Sequence, residues 1–359
     1  MPPTMTEVAE RAGVSKSTVS LVLNNKPSVS TELQRVVLAA ADELGYHLPR
    51  RRSQKGAVLN KSIVVVHYEW RSAEPHADSI FVDYISGIQS FVQDKNINLT
   101  FMTNYREGHQ QLGYHLLSDG HIVADGAIIM GRGARHDGQL LHQFLERGIP
   151  MVVLSRNWPD LPISTVGQDH HQQACIALDH LIGLGHRRIA FLASEVDRQH
   201  DWFEWRIECY RQAVLRVNGQ VDEELIVLGH DGFEAAQTLI KKRPDVTAIF
   251  AVQDLNAAAA VRGLQEMGVH VPQDISIIGL DDTAEAIEGR PALTTVSFPH
   301  AEVGYLAAEL LLRQIENDSL YYSNITVRSR LVERESCAAP RESSVLPLVG
   351  GADSTMREV

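Results

Sequence analysis

The spacing of apolar and polar residues along the 359-residue chain changes character twice. From Thr6 to Asn24 the run TEVAERAGVSKSTVSLVLN has helical spacing, interrupted once. Thr6 is expected to cap a first helix, with Glu7 placed where a negative charge suits the helix dipole. Val8, Ala9 and Ala12 form one narrow apolar face. Gly13 stands where the helix must stop and positive φ is useful. Ser15 then caps a second helix whose Val19, Val22 and Leu23 face inward, which leaves Lys16, Ser17, Ser20 and Leu21 facing elsewhere. A third helix follows in STELQRVVLAAADELG. Ser30 is its cap and Val29 a staple, Leu33, Val36, Val37, Ala40 and Leu44 form its apolar face, and Gly45 is its stop. Two helices around a three- to four-residue turn, the second with a polar and basic N-terminal face, suit a major-groove reader. An ordinary helical hairpin satisfies the same spacing.

Residues 47–61, HLPRRRSQKGAVLNK, lose the period and read as a linker. From Ser62 the period changes again. Short apolar runs, IVVVHY (63–68), LTFMTN (99–104), GAIIMG (126–131) and PMVVLS (150–155), alternate with helical stretches near 81–95, 108–119 and 138–147. A second series follows. Asp169 caps a helix running to Leu184, then come IAFLA (189–193), a helix near 205–218, LIVLG (225–229), a helix near 232–242, AIFAV (248–252), an alanine-rich helix near 254–267 and DISIIGLDD (274–282). This alternation predicts doubly wound parallel sheets in two successive units with a cleft between them.

Charge sharpens the division. The formal net charge is −12, yet residues 1–60 carry eight Lys/Arg against five Asp/Glu, which leaves −15 for the remainder. A basic head on an acidic body fits a nucleic-acid-binding module joined to a domain that avoids nucleic acid. No run of about 18 apolar residues suggests a membrane span, and no apolar signal-peptide core opens the chain, so a cytoplasmic protein is expected. The three cysteines, Cys175, Cys209 and Cys337, are widely spaced and odd in number, so neither a disulfide framework nor a clustered zinc site is expected.

The run AERAGVSKSTVSLVLN (9–24), with Val29-Ser30 and Leu44-Gly45-Tyr46, resembles the head of the lactose/galactose repressor (LacI/GalR) family. LGHRRIAFL (184–192), AIFAVQD (248–254), VPQDISIIGLDD (271–282), PALTTV (291–296) and Phe298-Pro299 extend the resemblance to about Pro340. It implies a small all-α helix-turn-helix head at 1–46, a linker at 47–61, and a two-lobed α/β domain of the type I periplasmic-binding-protein fold at 62–340. Its implied lobes cover about 62–160 with 291–322, and 161–290 with 323–340; the tail 341–359 is expected to be disordered. The resemblance also implies that Lys16, Ser17 and Leu21 read bases. Lys16 can donate to guanine and Leu21 can touch a thymine methyl. Ser15, Thr18, Ser20, Asn24, Ser28 and Ser30 become backbone or groove contacts on a palindromic operator duplex bound by a homodimer. The family's hinge helix is not matched: Pro49 is one place late, Arg50 replaces an asparagine, and Gly56 falls where a groove-wedging leucine is expected. Arg50, Arg51, Arg52 and Lys55 are therefore expected to act as a basic arm along phosphates, with a plain flexible tether as the alternative.

For the small-molecule effector, Arg206 matches the arginine of the family's R-x-x-G-Y pattern, with Cys209 in place of its glycine. Gln253, Asp254 and Asp281 end strands, Phe298 stands at a pocket-lining position, and Tyr68, Trp70, Phe81 and Trp202 offer apolar platforms. A guanidinium can grip vicinal hydroxyls or a carboxylate, and with aromatic faces beside it a sugar is the first expectation, although Ser155 replaces an aspartate common in sugar-binding relatives. No cofactor is expected. The rival readings are an enzyme and a transporter's solute-binding protein. Asp169-His170-His171 is read as a helix cap with two exposed histidines, since it lacks a metal-ligand spacing. No phosphate loop, nucleophile elbow or dinucleotide fingerprint appears either. A solute-binding protein would share the body but would require export.

Overall fold

The computed structural model describes residues 4–23, 31–44, 61–69, 77–107, 110–111, 124–131, 138–154, 161–317 and 322–341. Asn24, Ser28, Ser30, the arm Arg50–Arg52 with Lys55, Trp70, Ser155 and the tail from 342 lie outside the described residues, as does the helix expected near 108–119 except for Gln110–Gln111, which form a short strand instead. The chain divides into two units, Met1–Leu59 and Asn60–Val359.

The first unit holds α1 (Met5–Ala12), α2 (Lys16–Leu23) and α3 (Thr31–Glu43). The cap of α1 is Thr4, not Thr6. Thr4 Oγ1 accepts from the Glu7 amide while the Glu7 carboxylate accepts from the Thr4 amide at 2.6 Å. That reciprocal box requires an acidic group three residues after the cap, which Thr6 lacks. Gly13, at φ 66°, ends α1 as expected. Val8, Ala9, Val19, Val22, Val37, Ala40 and Ala41 form the core, with Met5, Ala12, Val14 and Leu44 against it. Leu33 and Val36, expected on the inner face of α3, are exposed. The buried stripe is the narrower one through Val37, Ala40 and Ala41.

In the second unit the first sheet contains β1 (Lys61–Glu69), β2 (Ile97–Glu107), β3 (Gln110–Gln111), β4 (Gly126–Gly131), β5 (Met151–Leu154) and β6 (Ser164–Gln168). Helices α4 (Ala77–Val92) and α5 (Gly138–Glu146) accompany them. The second lobe begins with α6 (His170–Gly183), then β7 (Ile189–Ser194), α7 (Asp201–Asn218), β8 (Ile226–Gly229), α8 (Gly232–Lys242), β9 (Ala248–Ala251), α9 (Asp254–Glu266), β10 (Ser276–Ile278) and α10 (Ala284–Glu288). The chain closes with β11 (Thr295–Ser297), α11 (His300–Asn317), β12 (Asn324–Val327) and β13 (Arg330–Val332).

Strand order in the first sheet is β12-β6-β5-β4-β1-β2-β3, parallel except for the β2–β3 pair. The second sheet runs β10-β9-β7-β8, all parallel, and β11 pairs antiparallel with β13. These pairings move the lobe boundaries. β6 and β12 belong to the first sheet, and β11 bridges to the end of β10 through Ile278–Thr294 and Asp281–Ser297. The crossings therefore fall after Gln168, just after Ser297 and after Val327, rather than near 160, 290 and 322. STVGQ and NITV carry too few apolar residues to announce themselves as strands.

Both lobes bury apolar strands under helices, as parallel sheets require. In the first, Ile63, Val65, Ile128 and Val152 meet Tyr84 and Ile88 of α4 and Val303, Ala307 and Leu311 of α11. Helices α4 and α11 cross so closely that a Cβ on Gly304 would lie 2.1 Å from the Tyr84 carbonyl oxygen. In the second, Phe191 and Phe250 pack against Leu178, Phe203 and Tyr210. The cysteines depart from expectation, because helix packing brings Cys175 of α6 and Cys209 of α7 together in a disulfide with Cα atoms 6.0 Å apart.

Candidate functional site

On the first unit, Lys16, Ser17 and Leu21 are exposed on α2 while Val19 and Val22 are buried beneath them. Ser15 holds the start of the helix, its Oγ accepting from the Thr18 amide at 3.1 Å. Its hydroxyl also meets those of Ser17 and Thr18 at 2.7 and 2.8 Å. Ser20 and Thr18 are half-buried. The helix N-terminus thus presents a cluster of hydroxyls and one ammonium at its positive end, a surface suited to phosphate and base edges.

On the second unit, the carboxyl ends of β9 and β10 converge on Arg206. This guanidinium is 2 % exposed. Its Nη1 donates to the Val252 carbonyl, its Nη2 donates to Gln173 Oε1 at 2.7 Å, and Asp281 Oδ1 lies 3.5 Å from Nη2. Gln173 Nε2 in turn donates to Asp281 Oδ1 at 3.0 Å, closing a three-residue ring. The guanidinium lies over the Trp202 ring, 4.4 Å from its centroid, and that ring stacks on His200.

Asp281 reaches this position because the backbone turns sharply after Leu280. Asp281 and Asp282 have φ of 99° and 60°, in the left-handed region. The turn is held by the Asp281 amide on the Val296 carbonyl at 3.0 Å and by Arg334 on Asp282 at 2.6 Å. A strand continuing to residue 282 is thereby excluded.

The other predicted residues divide. Gln253 stands at the N-cap position of α9 but makes no side-chain capping bond, and its Nε2 donates instead to Asp197 Oδ1 at 2.7 Å. Asp197, 1 % exposed, also accepts from Asn256 and from the Ser194 amide, and so orients the carboxyl end of β7. Asp254 is not a cleft acceptor. It is fully buried, accepts from Thr295 Oγ1 at 2.6 Å and the Thr283 amide at 2.9 Å, and burial holds its carboxyl well above the usual range. Phe298 is 3 % exposed, packs with the apolar core of the first lobe and lies edge-on to His300. Phe81 stacks on His67 with centroids 4.0 Å apart. Tyr68 is placed only by its strand, at the carboxyl end of β1 beside Asn104 and Gly131.

Gln173 and His300 escaped the sequence reading, and His170 was misplaced by it. Gln173 completes the Arg206 ring; its signal was a polar residue on the apolar face set by Ala174, Ala177 and Leu178. His170 is buried and stacks on Trp205 rather than being exposed, although Asp169 does cap α6, accepting from the Gln172 amide at 2.9 Å. His300, at the start of α11, is buried edge-on to Tyr84 and Phe298. Neither of its ring nitrogens has a hydrogen-bond partner among the described residues. Burial lowers its pKa, opposed by the field of Asp281 from the second lobe and Asp83 from the first, and three residues before it Ser297 bridges to Asp281 at the seam of the lobes. A separate groove of about 570 Å³, lined among others by Ile226, Leu228 and Arg243 along β8 and α8, contains none of the predicted residues.

Comparison with known proteins covers both units. Residues 4–48 match the model for bacterial regulatory proteins of the lacI family, and 178–337 match the periplasmic binding protein-like domain. The chain is 30 % identical over 342 residues to the HTH-type transcriptional regulator CelR of Thermobifida fusca, covering 93 % of this chain and 98 % of that one. It is 31 % identical over 343 residues to the HTH-type transcriptional repressor PurR of Klebsiella pneumoniae strain 342, covering 93 % and 97 %. Among solved structures, a CelR–cellobiose complex superposes with a TM-score of 0.64 at 28 % identity, covering 93 % and 99 %. The lac repressor dimer bound to operator and an anti-inducer gives 0.63 at 25 %, covering 94 % and 100 %. These relatives are DNA-binding regulators rather than enzymes, and the match at 4–48 disfavours the solute-binding alternative. The chain belongs to the LacI family of bacterial transcriptional regulators.

Proposed function

We propose that this regulator is a cytoplasmic, homodimeric repressor that binds a palindromic operator, and that its operator affinity is set by a sugar held at Arg206, Gln173 and Asp281. The observation that carries the ligand reading is the Arg206–Gln173–Asp281 ring over the Trp202 face, placed where the carboxyl ends of β9 and β10 meet. The ring offers donors from the guanidinium and an acceptor from Asp281 side by side. A vicinal diol meets both, accepting through one oxygen and donating through the other. The solved CelR–cellobiose complex supports the same ligand class. Lys16, Ser17 and Leu21 read bases, and Ser15, Thr18 and Ser20 meet the backbone. Arg50, Arg51, Arg52 and Lys55 follow the phosphates as a basic arm, and Asn24, Ser28 and Ser30 add contacts beside them.

Effector and operator are linked through a coupling of about 1–3 kcal/mol, which changes operator affinity roughly 5- to 150-fold and acts equally in both directions. The test is a thermal-shift panel of neutral sugars, sugar acids and nucleobases on the purified protein. A ligand at about 100 times its dissociation constant adds about 2.7 kcal/mol. A neutral sugar is expected to raise the melting temperature more than its acid counterpart, because a carboxylate faces Asp281. Stabilisation by nucleobases alone would overturn the sugar reading.

A further inference from the structure

The disulfide lies on the two helices that build the proposed ligand site. Cys175 follows Gln173 by two residues on α6, and Cys209 follows Arg206 by one turn on α7. The Cys175–Cys209 bond and the 2.7 Å Arg206–Gln173 bond are therefore neighbouring ties across one helix–helix contact. The two sulfurs are not equivalent. Cys209 is 1 % exposed, whereas Cys175 is half-buried. Exposed His171, one turn before Cys175, places Nδ1 3.5 Å from the Cys175 sulfur. Cys337, the remaining cysteine, stands apart on the Ile277 carbonyl, and burial pushes its thiol up to about 12.

We propose that Cys175 and Cys209 are a reversible oxidation site for hydroperoxides, and that the state of this pair sets the spacing of α6 and α7 at the Gln173–Arg206 contact. The second half rests on the reading of Arg206 as the ligand site. A DNA-binding regulator works in a compartment that keeps thiols reduced, so a pair already aligned for bonding responds to departures from that state.

The chemistry follows from exposure. The Cys175 thiol gives its proton to His171 or water, and its sulfur attacks the terminal oxygen of the hydroperoxide. The O–O bond breaks, leaving a sulfenic acid on Cys175 and releasing an alcohol, or water from hydrogen peroxide. The Cys209 thiol then attacks the Cys175 sulfur, the S–S bond forms, and the hydroxyl leaves with the Cys209 proton as water. Two thiols are oxidised by two electrons and one peroxide is reduced. A dithiol reductant reverses the reaction by two exchange steps, entering at the more exposed Cys175 sulfur.

The experiment uses the reduced full-length protein and hydrogen peroxide. Two thiols per chain are expected to disappear together, with one cross-linked peptide pair containing Cys175 and Cys209, restored by dithiothreitol, while Cys337 persists. Cys209→Ser is expected to stop at a sulfenic acid on Cys175 that dimedone traps, and Cys175→Ser to leave Cys209 unreacted. His171→Gln is expected to slow thiol loss by about tenfold. Reaction of Cys175 no faster than Cys337, or no trapped sulfenic acid in Cys209→Ser, would overturn the proposal. So would one zinc ion per reduced chain that blocks oxidation, since His171, Cys175 and Cys209 then form a metal site.

Coupling is read without any effector by hydrogen–deuterium exchange. Amides around 173 and 206 are expected to exchange faster in the reduced protein, and equal exchange would defeat the coupling. Running the sugar panel on both forms separates the two readings. If no sugar binds either form while oxidation and exchange behave as stated, the effector reading fails and the thiol switch stands.

Discussion

Replacing Arg206 with methionine keeps most of the stem's volume but removes the guanidinium from a site where it is 2 % exposed. At 3.5 Å the attraction between Arg206 and Asp281 is about 5 kcal/mol at an effective dielectric near 20. Desolvation of both groups offsets much of that, so the pair adds little net stability. Losing one partner is different. Asp281 would stay buried with only Gln173 donating to its Oδ1, and such orphaned charges cost about 3–5 kcal/mol. Asp281→Asn removes the charge, keeps the shape and tolerates the positive φ of 99°. The double variant is therefore expected to be more stable than the sum of the two losses predicts, by about 1–3 kcal/mol. Urea unfolding of the four proteins, followed by circular dichroism without effector, measures that coupling. Additivity within about 0.5 kcal/mol would refute the claim that the residues act as one unit. Either single variant should also abolish the melting-temperature response to the sugar that stabilises the parent protein.

On the first unit, Lys16→Ala is expected to relax sequence preference, whereas Arg51→Ala reduces the slope of log affinity against log salt by about one while preserving preference; salt titrations on operator and scrambled duplexes distinguish the two. The disulfide closes a loop with a sequence separation of 34, so its reduction is expected to lower stability by at most about 3–4 kcal/mol, read as a shift of the urea midpoint that Cys175→Ser reproduces. Burial lowers the pKa of His300, and of His186 and His180, below the ordinary 6.5. The unfolded chain then takes up protons first, so their stabilising effect is full above about pH 6.5 and is lost as pH falls from there toward the lowered values. Asp254, raised by burial, acts in the opposite direction, so the comparison between parent and His300→Gln isolates the His300 part. The variant is expected to lose less stability between pH 7.5 and 5, and identical slopes would count against a neutral buried ring.

The architecture was legible because parallel buried strands are written as unbroken apolar runs. IAFLAS and AIFA could hardly be anything else once helical stretches of similar length separated them. The head was legible for a related reason: caps, stop glycine and apolar stripe lie within a few residues of one another. Legibility ended where contacts are non-local. Nothing in the spacing of Cys175 and Cys209 says that α6 and α7 present them to each other. The lobe crossings were misplaced because β6 and β12 borrow their burial from neighbouring strands. Asp254 was drawn toward the ligand by its place at a strand end, but that position shows only that a residue is near the cleft. Whether its side chain points into the lobe depends on Gly279, which leaves room for the Asp254 carboxylate.

The Arg206 site is closed on itself, and this limits how it can work. The guanidinium already donates to Val252 and Gln173, and Asp281 already accepts from Gln173. A ligand here exchanges one hydrogen bond for another, and such exchanges contribute only about 0.5–1.5 kcal/mol net each. A ligand bound here would therefore draw its affinity chiefly from apolar contact, and the polar ring would supply discrimination. A ligand that displaces Gln173 but leaves Asp281 without a donor suffers a desolvation penalty, whereas one that donates and accepts does not. His300 complements this from the other lobe, since its two ring nitrogens lack partners among the described residues. A hydroxyl reaching His300 gains a hydrogen bond without breaking one. If a sugar binds at Arg206 as proposed, one of its hydroxyls that also reaches His300 would favour approach of the two lobes, because that hydrogen bond replaces none among the described residues.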